Sequence, residues 1–259
     1  MSRGMSRVMT PDGDLAEAIA AAKAAHFDAE GNACDYVALA ASPERERLAA
    51  CLGALQGVDM KRLRIPAQTA LWINVFNAAV LRDAVELAQA GRVREVQAFF
   101  ERPRLTIAGL AYSLDDIQHG LLRGNQPKVG RLRAPMGRDD PRLAYMPLAF
   151  DERIHFALHA AARSSPALQI FEAGALERQL EAAAAAYVRR TVRVEQGGAV
   201  LVAPRQFRWY PADFGNVRGI IEFVAAWLDE DLVAAIDSRR GRVSLRYADF
   251  DWTLNRRLP

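Results

Sequence analysis

The chain has 259 residues, 51% of them hydrophobic and 25% charged, the balance of a globular protein with a core to bury rather than of a disordered or fibrous one. No stretch approaches the ~18–20 consecutive apolar residues of a membrane helix, and Met1–Asp14 lacks the apolar run of a secretion signal, so a cytoplasmic protein without a membrane partner is expected. A net charge of +3, carried by scattered arginines rather than a basic stripe interleaved with aromatics, argues against nucleic acid.

Residues 14–27 read as an alanine-rich helix with Leu15 and Ile19 on one side. Cys34 and Cys51 are the two cysteines, too few for a disulfide framework and not spaced as a metal pair. Cys51 falls among Leu48, Ala49, Ala50 and Leu52 and reads as an inert buried thiol. Ser42 is a good N-cap, Pro43 suits the first helical position and Glu44 suits the positive end of the dipole, so a second helix starts there. Pro66 opens a third helix that the pattern carries to about Ala90, before Gly91. Its segment Ala70–Leu81 is apolar nearly all round, which predicts a central, buried helix. Asn74 and Asn77 interrupt it three residues apart, on one face, and must find hydrogen-bond partners inside the protein.

Leu105–Tyr112 predicts a hairpin turning at Ala108-Gly109, and Ser113 with Asp116 forms a capping-box-like pair opening a helix that carries His119 and stops at Gly124. Asp115, four residues before His119, is placed to orient its ring; the plainer reading is a solvated face of charge pairs that includes Arg123. Gly124–Pro147 is a long Pro- and Gly-containing loop with five cations, Lys128, Arg131, Arg133, Arg138 and Arg142, against Asp139 and Asp140. It is expected beside His119, either as a solvated surface loop, the plainer reading, or favouring a small anionic ligand. Residues 153–159 alternate, which favours a strand, with a helix as competitor; either puts His155 and His159 on one face. That pair has no His-Glu-x-x-His pattern and no evident third ligand, so no metal and no cofactor are expected. Ser165 before Pro166 reads first as a helix cap, and second as a side chain poised where a helix dipole favours a developing anion. Neither a Gly-x-Ser-x-Gly elbow nor a phosphate-binding glycine loop is present. A helix at about 176–190, a hairpin at 191–202 around Gly197-Gly198, helices at 217–228 and near Leu232, and a strand at 243–247 complete the chain.

Four stretches in order resemble the family known as domain of unknown function 547 (DUF547): Ala70–Ala78, Ser113–Arg123, Asp151–Leu158 continued by Arg163-Ser164-Ser165-Pro166, and Phe250–Asn255. The resemblance spans roughly Ile65 to Asn255. It implies an α+β fold in which a central buried helix packs with other helices and a small, mainly antiparallel sheet, on papain- or transglutaminase-like lines. Residues 1–64 are then a helical extension packed on a domain of residues 65–255, with 256–259 as a tail. The family pattern has Glu-His where this chain has Gln118-His119, Ser-Cys-Pro where it has Ser164-Ser165-Pro166, and a further cysteine at the place of Ala160. By resemblance the catalytic candidates are Ser165 as nucleophile and His119 as base, and the ligand-binding candidates are Asn74, Asn77, Gln118, Arg123, His155 and His159. Serine is far harder to deprotonate than cysteine, and Gln118 removes a carboxylate beside His119. The favoured reading is therefore a ligand- or protein-binding module that retains a degenerate thiol-enzyme cleft; the alternative is a hydrolase or acyltransferase using Ser165 and His119. Oligomeric state is left open.

Overall fold

The computed structural model describes residues 11–239 and 241–257. The leader reading of residues 1–10 and the last two residues of the tail lie outside them.

Helix α1 (Pro11–His26), the short α2 (Tyr36–Ala40) and α3 (Pro43–Ala54) precede the central helix α4 (Ile65–Arg82). Ser42 caps α3 as its sequence dictates, its Oγ accepting the Arg45 amide at 3.2 Å. All twelve residues from Ala70 to Leu81 are buried, so α4 is surrounded by protein on every side. It stops eight residues before the expected end. The Asp83 carboxylate is shared between Arg82 and Arg104, and its backbone (ψ 18°) leaves the helical ladder before α5 (Ala84–Gln89) begins.

The hairpin pairs β1 (Leu105–Ile107) with β2 (Leu110–Tyr112). Ala108 and Gly109 both take positive φ (49° and 76°), the turn whose twist matches that of the strands. The Ser113/Asp116 pair follows: the Asp116 amide donates to Ser113 Oγ (3.0 Å), and the Ser113 amide and hydroxyl donate to Asp116 Oδ2 (2.9 and 2.8 Å). The helix it opens, Asp116–Leu122, is a π-helix rather than an α-helix, closed at its end by the Arg123 amide reaching back five residues to the Gln118 carbonyl at 2.9 Å.

Residues 153–162 are neither strand nor α-helix. A 3₁₀ turn, Glu152–Phe156, capped by Asp151, leads into irregular backbone. The reason lies in α4. Asn77 donates to the Ala157 carbonyl (3.1 Å) and accepts the His159 amide (2.8 Å), while Asn74 donates to the Phe171 carbonyl (2.7 Å) and accepts its amide (3.0 Å). Each side-chain amide offers the backbone a donor and an acceptor side by side, as a neighbouring strand would, and so satisfies groups of Ala157, His159 and Phe171, while residues 161–164 pair with the backbone of residues 251–255.

Beyond α6 (Leu176–Thr191), β3 (Arg193–Glu195) and β4 (Val200–Ala203) form the expected hairpin; α7 (Arg205–Trp209), α8 (Asn216–Ala225), α9 (Glu230–Asp237) and β5 (Ser244–Tyr247) follow. The architecture is α+β. Its sheets are two small separate ones, and the β4–β5 pair is parallel, a departure from the antiparallel pattern of the rest. Two apolar clusters result. One gathers α1, α3, α4 and the β1–β2 hairpin; the other gathers α6, β4 and α8 around Phe156, Phe207 and Phe214. Ile154 belongs to the first and Phe156 to the second, which leaves His155 at the seam. Among the described residues no helix is long and apolar enough to cross a membrane.

Candidate functional site

At that seam opens a half-enclosed cavity of about 490 Å³, within the size range of small-molecule sites. Its walls are aromatic. Phe76 and Phe100 stack at 6.5 Å, Phe100 meets Trp252 at 6.2 Å, Trp252 meets Phe250 at 4.5 Å, and Phe250 meets Trp209 at 5.2 Å. Arg94 lies over the Trp252 ring at 4.2 Å, a cation–π contact on the cavity wall. Phe76 comes from the central helix, whereas Trp72 turns elsewhere and donates its indole N–H to the Tyr145 carbonyl at 3.0 Å.

The polar end is built around Arg123. Its guanidinium, almost fully buried, donates to Asp213 through Nε (2.6 Å) and Nη2 (2.9 Å), and through Nη1 to the Pro127 carbonyl (3.0 Å) and to His119 Nδ1 (3.1 Å). It also lies 4.0 Å from the centre of the Tyr210 ring, which stacks on His155 at 4.9 Å and 12°. His155 Nε2 meets the same Asp213 carboxylate at 2.8 Å. Asp115, His119 and Arg123 follow one another at intervals of four residues and so share one face of this helical segment. Gly120 lies against the tip of the Met136 side chain, which would have to shift to admit a larger residue there, and Met136 holds the basic loop through paired hydrogen bonds with Asn125 (3.0 Å each).

Burial keeps the imidazoles neutral. His119 is held well below the ordinary histidine range by desolvation and by the Arg123 and Lys128 cations, and His155 is lowered by desolvation, which outweighs Asp213. Burial alone would raise Asp213, but the hydrogen bonds from His155 and Arg123 bring it down to about 2. Arginine has no acceptor, so His119 Nδ1 must accept and its proton sits on Nε2. That N–H has Asp115 Oδ1 at 3.7 Å, too far for a hydrogen bond. Asp115 itself binds Lys128 at 2.7 Å, as does Glu101.

Of the residues singled out in the sequence, Gln118, His119 and His155 line the cavity, and Arg123 supports them from behind. His159 does not join them. Its Nδ1 donates to the Pro166 carbonyl (2.8 Å), its Nε2 faces the Tyr36 hydroxyl (3.5 Å), and burial lowers it to about 4. Asn77 is spent on backbone, and Asn74 lines a different recess near α1. Ser165 is buried, accepting the Ala160 amide at 2.7 Å and donating to the Pro166 carbonyl at 3.2 Å; no hydrogen bond joins it to His119. Pro166 opens no helix: the next one, α6, starts at Leu176. Ser165→Ala is expected to destabilise the fold by ~1–3 kcal/mol, the cost of leaving the Ala160 amide unpaired, measurable as a lower urea midpoint.

Lys128 and Val129 bring the basic loop to the cavity rim, but Lys128 is neutralised by two carboxylates and Arg142 by Asp116 and Asp140. Arg131 and Arg133 line an open recess that adjoins the cavity and shares Glu101, Asp115, His119, Lys128 and Val129 with it, so the loop lies beside His119 as expected. Asp213, Tyr210, Gln206 and Trp209 were not singled out in the sequence. The signal available was local: an acid in the run Trp209-Tyr210-Pro211-Ala212-Asp213-Phe214, where aromatic neighbours promise burial. Among the described residues no group of three or more His, Cys, Asp or Glu could hold a metal ion.

Residues 60–188 match the model of the family described as "Protein of unknown function, DUF547". The matched segment contains the π-helix, the basic loop and Ser165; Gln206, Tyr210, Asp213 and the C-terminal aromatics lie beyond it. No curated protein and no solved structure matches the chain.

Proposed function

We propose that this protein, whose residues 60–188 are a DUF547 domain, uses the cavity that this segment largely lines to bind a small, largely apolar, ring-bearing molecule rather than to carry out nucleophilic catalysis. One observation carries the reading. The cavity has aromatic walls and fixed hydrogen-bonding groups at one end, yet among the described residues lining it there is no serine, threonine or cysteine. Ala160, at the place where the resemblance puts a family cysteine, contributes a methyl group to the wall. Ser165 spends its hydroxyl on backbone groups. His119 spends its lone pair on Arg123, so the ring nitrogen left open carries a proton and cannot take one.

The test uses the neutral fluorophore N-phenyl-1-naphthylamine. Saturable emission at one probe per chain is expected, abolished by Ala160→Trp, which fills the cavity, and unchanged by Ser165→Ala. Probe binding indifferent to Ala160→Trp would sink the proposal. A fluorophosphonate reagent addresses the hydrolase alternative: labelling lost in Ser165→Ala but retained in Ala160→Trp would favour that alternative over binding.

A further inference from the structure

The polar end of the cavity specifies more than polarity. Arg123 forces His119 to accept at Nδ1, so Nε2–H is a fixed donor. Asp213, ionised and gripped by two guanidinium nitrogens, can only accept, so His155 Nε2 donates to it and His155 Nδ1 keeps its lone pair. Neither open ring atom has a hydrogen-bond partner in the protein, and neither is among the sealed, unpartnered polar atoms of the interior. The two rings pack on one tyrosine, their centres 5.7 and 4.9 Å from that of Tyr210. One donor and one acceptor therefore stand at the same end of the cavity, each preset by a buried partner.

Resting on the binding reading above, we infer that the ligand's head group is neutral and carries both a hydrogen-bond acceptor and a donor, as an amide or lactam does, with its carbonyl toward His119 Nε2–H and its N–H toward His155 Nδ1. A carboxylate is the wrong complement. It would place a second lone pair against His155 Nδ1 and a negative charge beside Asp115, which lies 3.7 Å from the His119 donor. At the rim the loop's Lys128 is already paired with Asp115 and Glu101, so it offers no free charge to an anionic head group.

Two measurements on the intact protein decide it. The first compares 2-naphthylacetamide, 2-naphthylacetate and methyl 2-naphthylacetate by calorimetric titration, with the matching phenyl and indolyl series to allow for fit. The amide is expected to bind at least about ten-fold more tightly than the acid or the ester of the same body, because each mismatch leaves a desolvated partner unpaired. Acid or ester binding as tightly as amide overturns the head-group assignment and leaves the cavity reading intact; no binding by any body overturns both. The second is the imidazole ¹⁵N spectrum, assigned with single His→Gln variants. His119 and His155 are expected to carry their protons on Nε2, while His159, which donates to a carbonyl through Nδ1, supplies the opposite tautomer as an internal reference. A proton on His155 Nδ1 would remove the acceptor and the inference with it.

Discussion

Acidification from pH 7.5 to 5 is expected to weaken the fold by several kcal/mol, well before the carboxylates titrate. His119, His155 and His159 are all buried, and desolvation lowers each below the usual histidine value. The unfolded chain takes up protons at about pH 6.5, where the folded one still refuses them, so stability is full above that pH and falls as it is crossed downward. For His159, lowered to about 4, the loss runs from pH 6.5 to about 4 and amounts to roughly 3 kcal/mol by its lower end. Each further neutral imidazole adds up to ~1.4 kcal/mol per pH unit within its own window. Asp213, brought down to about 2, loses its contribution only below the ordinary aspartate value of about 4, so the two effects separate. Urea midpoints measured between pH 7.5 and 5 check this, with His159→Gln expected to flatten the curve. A midpoint constant over that range would show that all three rings take their protons in the folded state as readily as in the unfolded chain, and would overturn the expectation.

Removing the Asp213 carboxylate should cost about as much at neutral pH. Asp213→Ala strands the Arg123 guanidinium, whose side chain is 4% exposed, and leaves the His155 N–H without its acceptor. Breaking a buried pair from one side typically costs ~3–5 kcal/mol, most of it from the charge left behind. Asp213→Asn keeps the shape and one acceptor and should cost less, while loosening the tautomer of His155. Chemical denaturation reads both variants. A loss below ~1 kcal/mol for Asp213→Ala would mean that water reaches Arg123 and that the polar end of the cavity is not a fixed array.

Much of the scaffold was written locally. The Ser42 cap, the Ala108-Gly109 turn, the Ser113/Asp116 pair and the burial of Asn74 and Asn77 each follow from residues within a few positions of one another, and all are found where the sequence puts them. Elements whose hydrogen bonds are supplied from afar were misread. The alternation at 153–159 predicts a strand because periodicity reports which side chains are buried, not what satisfies the backbone; here the Asn77 amide does so from α4. The end of α4 failed for a similar reason, since Arg104, which helps to hold Asp83, comes from a distant part of the chain.

The site divides along the same line. The sequence alone determined that His119 and Arg123 share one helical face, because they lie four residues apart. It could not determine that His155 joins them while His159, four residues on, faces Tyr36 and Pro166 instead. Nor could it show that Ser165 lies apart from His119, or that the carboxylate tying the rings together comes from Asp213, ninety residues beyond Arg123. Those choices are made by the meeting of two apolar clusters. A buried charge costs too much to be left alone, so the packing that buries Arg123 must also deliver the acid that pairs with it. Which acid that is, and which ring nitrogen is left facing the cavity, is decided by tertiary contact.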